Sequence, residues 1–341
     1  MHIVITGGAG FLGLRLARSL LARGTLSLAG AAPAAIRRIT LLDRIAPPPD
    51  VTADARVQGI VGDLLQGLRD RTALPHDVDA VFHLAAAVSG ECEADFDLGM
   101  RSNFETTHAL LESCRALGHT RGQAPLLVFA SSLAVFGQTP WLPLPDVITD
   151  STLPTPQSSY GIQKFIGEQL VADYARKGFV IGRSARLMTV SVRPGRPNGA
   201  ASGFLSGMLR EPLAGQRAVV PVPADLPVAL SSPARTIDGL LRAAEATPDE
   251  WGPLTALNLP ALTTSPRAMA EALERVAGAA ATRLLDWRPD ERVARVVGSW
   301  PARFDSVRAR ALGLAADPDF ESIVRQYVGE NPEATPLAAH A

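Results

Sequence analysis

The chain is short of cysteine, of net charge and of long apolar runs, and each shortage removes a class of function. Cys92 and Cys114 are its only cysteines in 341 residues. They fit no metal-ligand spacing and are too few for a disulfide framework, so a reducing cytoplasm is the expected compartment. Lys and Arg number 33 against 34 Asp and Glu, a formal net charge of -1. That balance offers no basic surface for DNA, RNA or an anionic membrane. No apolar run is long enough to span a bilayer. Met1-His2-Ile3-Val4-Ile5 lacks the basic start of a signal peptide and runs straight into glycines. Six histidines are scattered, so no metal is expected, and the Gly-x-Ser-x-Gly elbow of a hydrolase is missing.

What is present suits a soluble globular protein: 47% of the residues are hydrophobic and 20% charged. The length allows two modest domains, or one α/β domain with a smaller partner. Short apolar runs predict strands at 2–6, 39–43, 57–61, 80–84, 126–130 and 185–192. Helical stripes fall at 11–23, 104–117 and 160–176, and Gly24 stops the first of them. Residues 25–38 read as a lengthened connection. This alternation predicts an α/β fold with a doubly wound parallel sheet covered on both faces. Beyond Pro194 the pattern loosens into Pro, Gly and Arg. Residues 1–193 therefore read as one domain, with 226–248 returning to it. Residues 194–341 read mainly as a smaller, discontinuous cap that shapes a substrate pocket. The Pro/Ala-rich tail at 331–341 reads as frayed.

Thr6-Gly7-Gly8-Ala9-Gly10-Phe11-Leu12-Gly13 joins the first strand to the first helix. Gly7 can take a strained turn, Gly10 lets the backbone approach a pyrophosphate, and Gly13 allows close helix–strand packing. The helix start then offers unpaired N–H groups to phosphates. A tight turn alone would use the same glycines; the strand before and the helix after make this a dinucleotide loop of the Rossmann type. Asp43, at the end of the second strand, is the candidate acid for the ribose hydroxyls, which favours NAD over NADP. It lies further from the glycines than the usual ~20 residues, and Arg44 follows it. Asp63, after the third strand, is a candidate for the adenine amino group. The plainer alternative for each is a turn or helix-cap acid.

Tyr160-Gly161-Ile162-Gln163-Lys164 opens a helix, and positions i and i+4 share a face. A free tyrosine has a pKa of about 10, so acting as a base near neutrality means lowering it by about three pH units, roughly 4 kcal/mol. A nearby lysine and a positive nicotinamide are the right perturbers. Ser132 follows the fifth strand, at the carboxyl edge where such folds bind ligands, and can hold the reacting oxygen while Tyr160 exchanges its proton. A tyrosine and a lysine four apart are common, and Ser-Ser after a strand is often a turn. The order of loop, serine and Tyr-x-x-x-Lys is what points to hydride chemistry. His83, inside a strand, reads as structural.

These residues resemble the extended short-chain dehydrogenase/reductases, the group of nucleotide-sugar epimerases and dehydratases. The likeness rests on 6–13, Asp63-Leu64, His83-Leu84-Ala85-Ala86, Asn103, Ser131-Ser132 and 160–164. It implies that Phe11, Leu12 and Leu64 line the dinucleotide and that Ala85, Ala86 and Ala87 border it. It further implies that Asn103 supports the site and that Lys164 binds the nicotinamide ribose. A homodimer through helices 104–117 and 160–176 is also implied. Stretches 87–100 and 186–198 resemble more narrowly the sugar-acid dehydrogenases of this group, which implies NAD-dependent oxidation of the C2 hydroxyl of D-erythronate to 2-oxo-D-erythronate. Where the epimerases carry an Asn-Pro loop, this chain has Arg193-Pro194-Gly195-Arg196-Pro197-Asn198. Arginine can hold a carboxylate bidentately, which makes Arg193 and Arg196 candidates for a sugar acid, with Ser89 for a hydroxyl. An epimerase or dehydratase would carry the same catalytic set, and a non-catalytic NAD-binding regulator would have lost it.

Overall fold

The computed structural model describes residues 1–195 and 199–340. Seven strands form one sheet: β1 (His2–Thr6), β2 (Arg38–Asp43), β3 (Val57–Val61), β4 (Ala80–His83), β5 (Leu126–Ser132), β6 (Ile181–Leu187) and β7 (Leu257–Asn258). Their spatial order is β3-β2-β1-β4-β5-β6-β7, and every pairing is parallel. The order reverses between β1 and β4, which opens a crevice at their carboxyl ends.

The strand alternation distributes the core over two faces. Ile3, Ile5, Leu41, Phe82 and Val128 face α1 (Phe11–Arg23) and α7 (Pro233–Glu245). Val4, Leu42, Val81, Leu127 and Phe129 face the opposite layer. That layer includes α2 (Leu64–Arg69), α4 (Thr106–Arg121) and α5 (Ser159–Arg176). Helix α1 ends as its sequence demands: Gly24 takes φ 67° and its N–H bonds to the Leu20 carbonyl. Helix α5 is capped by Ser158, whose hydroxyl accepts from the Gly161 N–H at 3.1 Å. A separate core gathers α6 (Phe204–Leu213), α8 (Pro266–Thr282) and α9 (Phe320–Glu330) around Met208, Leu209, Leu273 and Val324. No described helix is long and apolar enough to cross a membrane.

Four sequence expectations need correction. The connection at 25–38 contains a small antiparallel pair, Thr25–Leu26 with Ala34–Ala35. The predicted strand 185–192 is two strands. β6 starts at Ile181 and stops at Leu187, and Thr189–Val190 then joins Val228–Ser231 and Leu262–Thr264 in another sheet. Buried Arg183, Ser184 and Arg186 disguised the first half, because a core strand normally reads as apolar. The predicted helix 104–117 becomes regular α4 only at Thr106, after a π-helical segment Met100–Glu105. Finally, the tail is packed, not frayed. It forms 3-10 turns at Pro332–Ala334 and Pro336–His340, Thr335 is 1% exposed, and Leu337 rests on the α6–α8–α9 core. Its prolines suit tight turns as well as they suit disorder.

Candidate active site

The crevice between β1 and β4 is the mouth of a cavity of about 580 Å³. One end is bordered by Gly7, Gly10, Phe11, Leu12, Gly13, Asp43, Asp63 and Leu64. The other holds Ser132, Tyr160, Lys164, Arg193 and Ser202, with Ala85, Ala86 and Ala87 between. Gly7, Gly8 and Gly13 of the loop have no room for a side chain. Gly7 has φ 68°, and a Cβ there would stand 2.9 Å from the Ala85 nitrogen. A Cβ on Gly13 would stand 2.2 Å from the Gly7 carbonyl oxygen. Gly10 leaves the start of α1 without any side-chain cap, and the first turn carries no acid. Those amides need an acceptor from outside the chain.

A hydrogen-bond chain holds the two sides of the crevice together. The Thr107 hydroxyl donates to the Asn103 carbonyl at 2.6 Å, so it can only accept from His83 Nε2–H at 3.0 Å. His83 Nδ1 is then the acceptor for the Thr6 hydroxyl at 2.7 Å, and Thr6 in turn accepts from the Ala85 N–H at 3.2 Å. Burial, with the charge of Lys164, pushes His83 down to about 3, so the ring is neutral. Asn103, within the π-helical turn, accepts from the Ala87 N–H at 2.9 Å and donates to the Ala87 carbonyl at 3.1 Å. It also donates to Gln163 Oε1 at 2.9 Å, beside Lys164.

The two candidate acids at the adenosine end have structural duties as well. Asp43 Oδ2 accepts from the Ala9 N–H at 3.0 Å and Oδ1 from the Arg44 N–H at 2.7 Å. Asp63 caps α2 by accepting from the Gln66 N–H at 3.0 Å. It also pairs with Arg101 at 2.9 Å and Arg44 at 3.5 Å. The Gln66 N–H, helped by the two guanidinium groups, holds its carboxyl below the ordinary value.

Ser132 ends β5, and its hydroxyl accepts from the Ala134 N–H at 3.1 Å. Burial pushes the Tyr160 phenol up to about 12; a hydrogen bond with Ser132 and the charge of Arg193 pull the other way. Lys164 is 3% exposed, and burial brings its ammonium down to about 8. Its Nζ donates to the Ala130 carbonyl at 2.8 Å and lies 4.8 Å from the Phe129 ring centroid. Ser89 opens α3 (Ser89–Ala94) and accepts from the Ala201 N–H at 3.1 Å. Arg193 donates through Nε to the Val190 carbonyl at 3.0 Å and through Nη2 to Ser202 Oγ at 3.3 Å. Arg210 Nη1 holds the Arg193 carbonyl at 2.8 Å. Arg196 lies outside the described residues. Ser202, Trp300 and Arg210 escaped the sequence reading, since they reach the site from distant segments with no local signal.

The sequence pattern of the NAD dependent epimerase/dehydratase family matches residues 3–227. The chain belongs to this family. It is 50% identical to a D-erythronate dehydrogenase of Cupriavidus necator, over 96% of this chain and 98% of that one. It is 39% identical to a D-erythronate dehydrogenase of Haemophilus influenzae, over 96% and 99%. The crystal structure of the nucleoside-diphosphate-sugar epimerase from Agrobacterium tumefaciens matches with TM-score 0.87 and 39% identity, over 98% of this chain and 95% of that one. The family cofactor, NAD, fits what this cavity offers. A helix start without an internal acceptor suits a pyrophosphate, and Gly7, Gly10 and Gly13 present bare backbone to the cavity beside it.

The lysine carries a stability cost that can be measured. A lysine whose folded pKa lies below its unfolded value destabilises the native state wherever it must stay charged. That cost is full below pH about 8 and disappears as pH rises toward about 10.4. Lys164→Met leaves the Ala130 carbonyl without its donor, yet it is expected to stabilise the apoprotein at pH 7 by about 2 kcal/mol. Its activity should fall by at least about 10²-fold. Urea melts at pH 7 and pH 10 check this: the gain at pH 7 should shrink at pH 10, and a gain independent of pH contradicts it.

Proposed function

We propose that this chain is a D-erythronate dehydrogenase, oxidising the C2 hydroxyl of D-erythronate to 2-oxo-D-erythronate with NAD. The observation that carries the reading is the Arg193 guanidinium in the same cavity wall as Tyr160, in a chain similar over its whole length to D-erythronate dehydrogenases. A small sugar acid needs a cation for its carboxylate, and burial makes an arginine a strong one.

The cofactor is assigned to Gly7, Gly10, Phe11, Leu12 and Gly13 at its pyrophosphate, and to Asp43 at the adenosine ribose. Asp63 and Leu64 flank the adenine; Ala85, Ala86 and Ala87, braced by Asn103, border the remainder. Bound NAD supplies the acceptor for the C2 hydride and a positive charge beside the phenol. Ser132 donates a hydrogen bond to the C2 oxygen, Ser89 contacts a further hydroxyl, and Tyr160 accepts the C2 hydroxyl proton. Lys164, in its ammonium form, and Arg193 favour the phenolate against the cost of burial. In the free protein that cost dominates, so proton acceptance awaits a filled site.

The similarity to a nucleoside-diphosphate-sugar epimerase motivates the second reading, in which the same residues return the hydride to an altered sugar. Incubation with NAD and D-erythronate should produce NADH absorbance, and Arg193→Met should raise KM for D-erythronate about 10²-fold with a smaller change in kcat. Absence of NADH, with turnover of a UDP-sugar, refutes the proposal.

The reading extends to a homodimer in the cytoplasm. Adjacent helices α4 and α5, with Ile162 exposed on α5, would form the subunit interface. The two cysteines are free and buried, as a reducing compartment allows. Sedimentation at twice the mass of one chain supports the dimer; a monomer at micromolar concentration removes it.

A further inference from the structure

A second polar cluster lies directly behind Tyr160 and Lys164. Glu168 follows Lys164 by one turn of α5 and repeats the spacing that separates Tyr160 from Lys164. It is 2% exposed. Its Oε1 accepts from Arg186 Nε at 2.9 Å and from the Ser131 hydroxyl, and its Oε2 accepts from Arg186 Nη2 at 2.7 Å. Arg186 Nη1 continues to Asn258 Oδ1 at 3.2 Å on the last strand. Ser131 and Arg186 are register partners on β5 and β6, so one carboxylate from the covering helix bridges two strands.

Helix α5 is therefore tied to two consecutive residues of β5, with Ser132 next along the strand. Lys164 holds the Ala130 carbonyl, Glu168 holds the Ser131 hydroxyl, and Ser132 favours the Tyr160 phenolate. Replacing a buried ion pair by apolar side chains is often neutral or stabilising, so stability alone gives no reason to keep this one. Its location does.

We propose that Glu168, paired with Arg186, is a positioning residue of the active site. It locks α5 against the end of β5 so that Tyr160 meets Ser132, and its negative charge keeps Lys164 an ammonium. The proposal rests on the reading of Ser132, Tyr160 and Lys164 as the catalytic set. The groups facing Lys164 are Tyr160 and Glu168 from its own helix, Cys92 from α3 and His83 from β4, while β5 offers a carbonyl and the Phe129 ring. Burial holds the Cys92 thiol up at about 11 and His83 down at about 3, so both are neutral at working pH. Among the described residues Glu168 is the carboxylate that acts on Lys164.

The first readout, a lysine titration, does not depend on the substrate. The chain has two lysines, Lys164 and the exposed Lys177, so a protein labelled with ε-13C lysine gives two signals to titrate. In the native apoprotein the Lys164 signal should titrate at about 8, and the signal of exposed Lys177 serves as the internal comparison. In Glu168→Gln the Lys164 midpoint should fall by about one pH unit. The kcat should drop about tenfold while NAD affinity stays within about twofold. A folded Glu168→Gln protein with an unmoved Lys164 midpoint, or with native kcat, overturns the proposal. Should that variant fail to fold, Ser131→Ala keeps the Glu168–Arg186 pair and severs only the tie to β5. It should lose about tenfold in kcat with the Lys164 titration unchanged, and native kcat overturns the proposal in turn. If native protein makes no NADH from D-erythronate, the substrate assignment fails and the lysine titration still judges Glu168.

Discussion

Lys164 takes an ammonium group out of water between β5 and α5, and much of the site follows from making that tolerable. The Ala130 carbonyl and the Phe129 ring receive the charge, and Glu168 answers it from one turn away. Neutral His83 and neutral Cys92 stand nearby without adding a competing charge. Desolvation makes the group labile, which a surface lysine could not be. The same enclosure that costs stability puts Arg193 where its charge bears on the Tyr160 phenol, and Lys164 within 5.8 Å of the Tyr160 ring centroid. Stability is given up at the point where chemistry is proposed.

The reversal of strand order supplies the second constraint. It sends the chain in different directions beyond the paired ends of β1 and β4, and the crevice there is braced by the chain from Asn103 through Thr107, His83 and Thr6 to Ala85. Each member has one donor direction that satisfies its neighbours, which fixes the histidine tautomer. The glycine loop and the Ala85 turn thus approach each other closely enough that Gly7 has no room for a Cβ. Fold and cofactor cleft are one construction, and the other end of the cavity is built separately, from Arg193, Ser202 and Trp300.

The sequence exposed the parts of this molecule that are local and periodic. Strands β1, β2 and the first half of β5 are short buried runs, and α1 carries its own stop at Gly24; these emerge from residue pattern alone. The glycine loop and Tyr160–Lys164 emerge because their chemistry demands fixed spacing. What stayed hidden was long-range or polar. β6 buries Arg183 and Arg186, which a pattern based on apolar runs does not anticipate; Arg186 makes sense only once Glu168 is placed above it, and Arg183 lies over the Trp251 ring. The π-helical turn around Asn103 has no local signature. Asp43 and Asp63 were visible as acids at strand ends, and the structure shows that each also closes a turn or caps a helix. Ser202 and Trp300 reach the Tyr160 end of the cavity from separate segments that only folding brings together.

The account stands on Tyr160 exchanging the substrate proton while other residues hold the cofactor. Tyr160→Phe separates these tasks, since it keeps the ring and removes the hydroxyl. NAD affinity measured by calorimetry should stay within about twofold of native, while NADH production from D-erythronate falls by at least about 10²-fold. A Tyr160→Phe protein that binds NAD normally and produces NADH at the native rate would contradict the account.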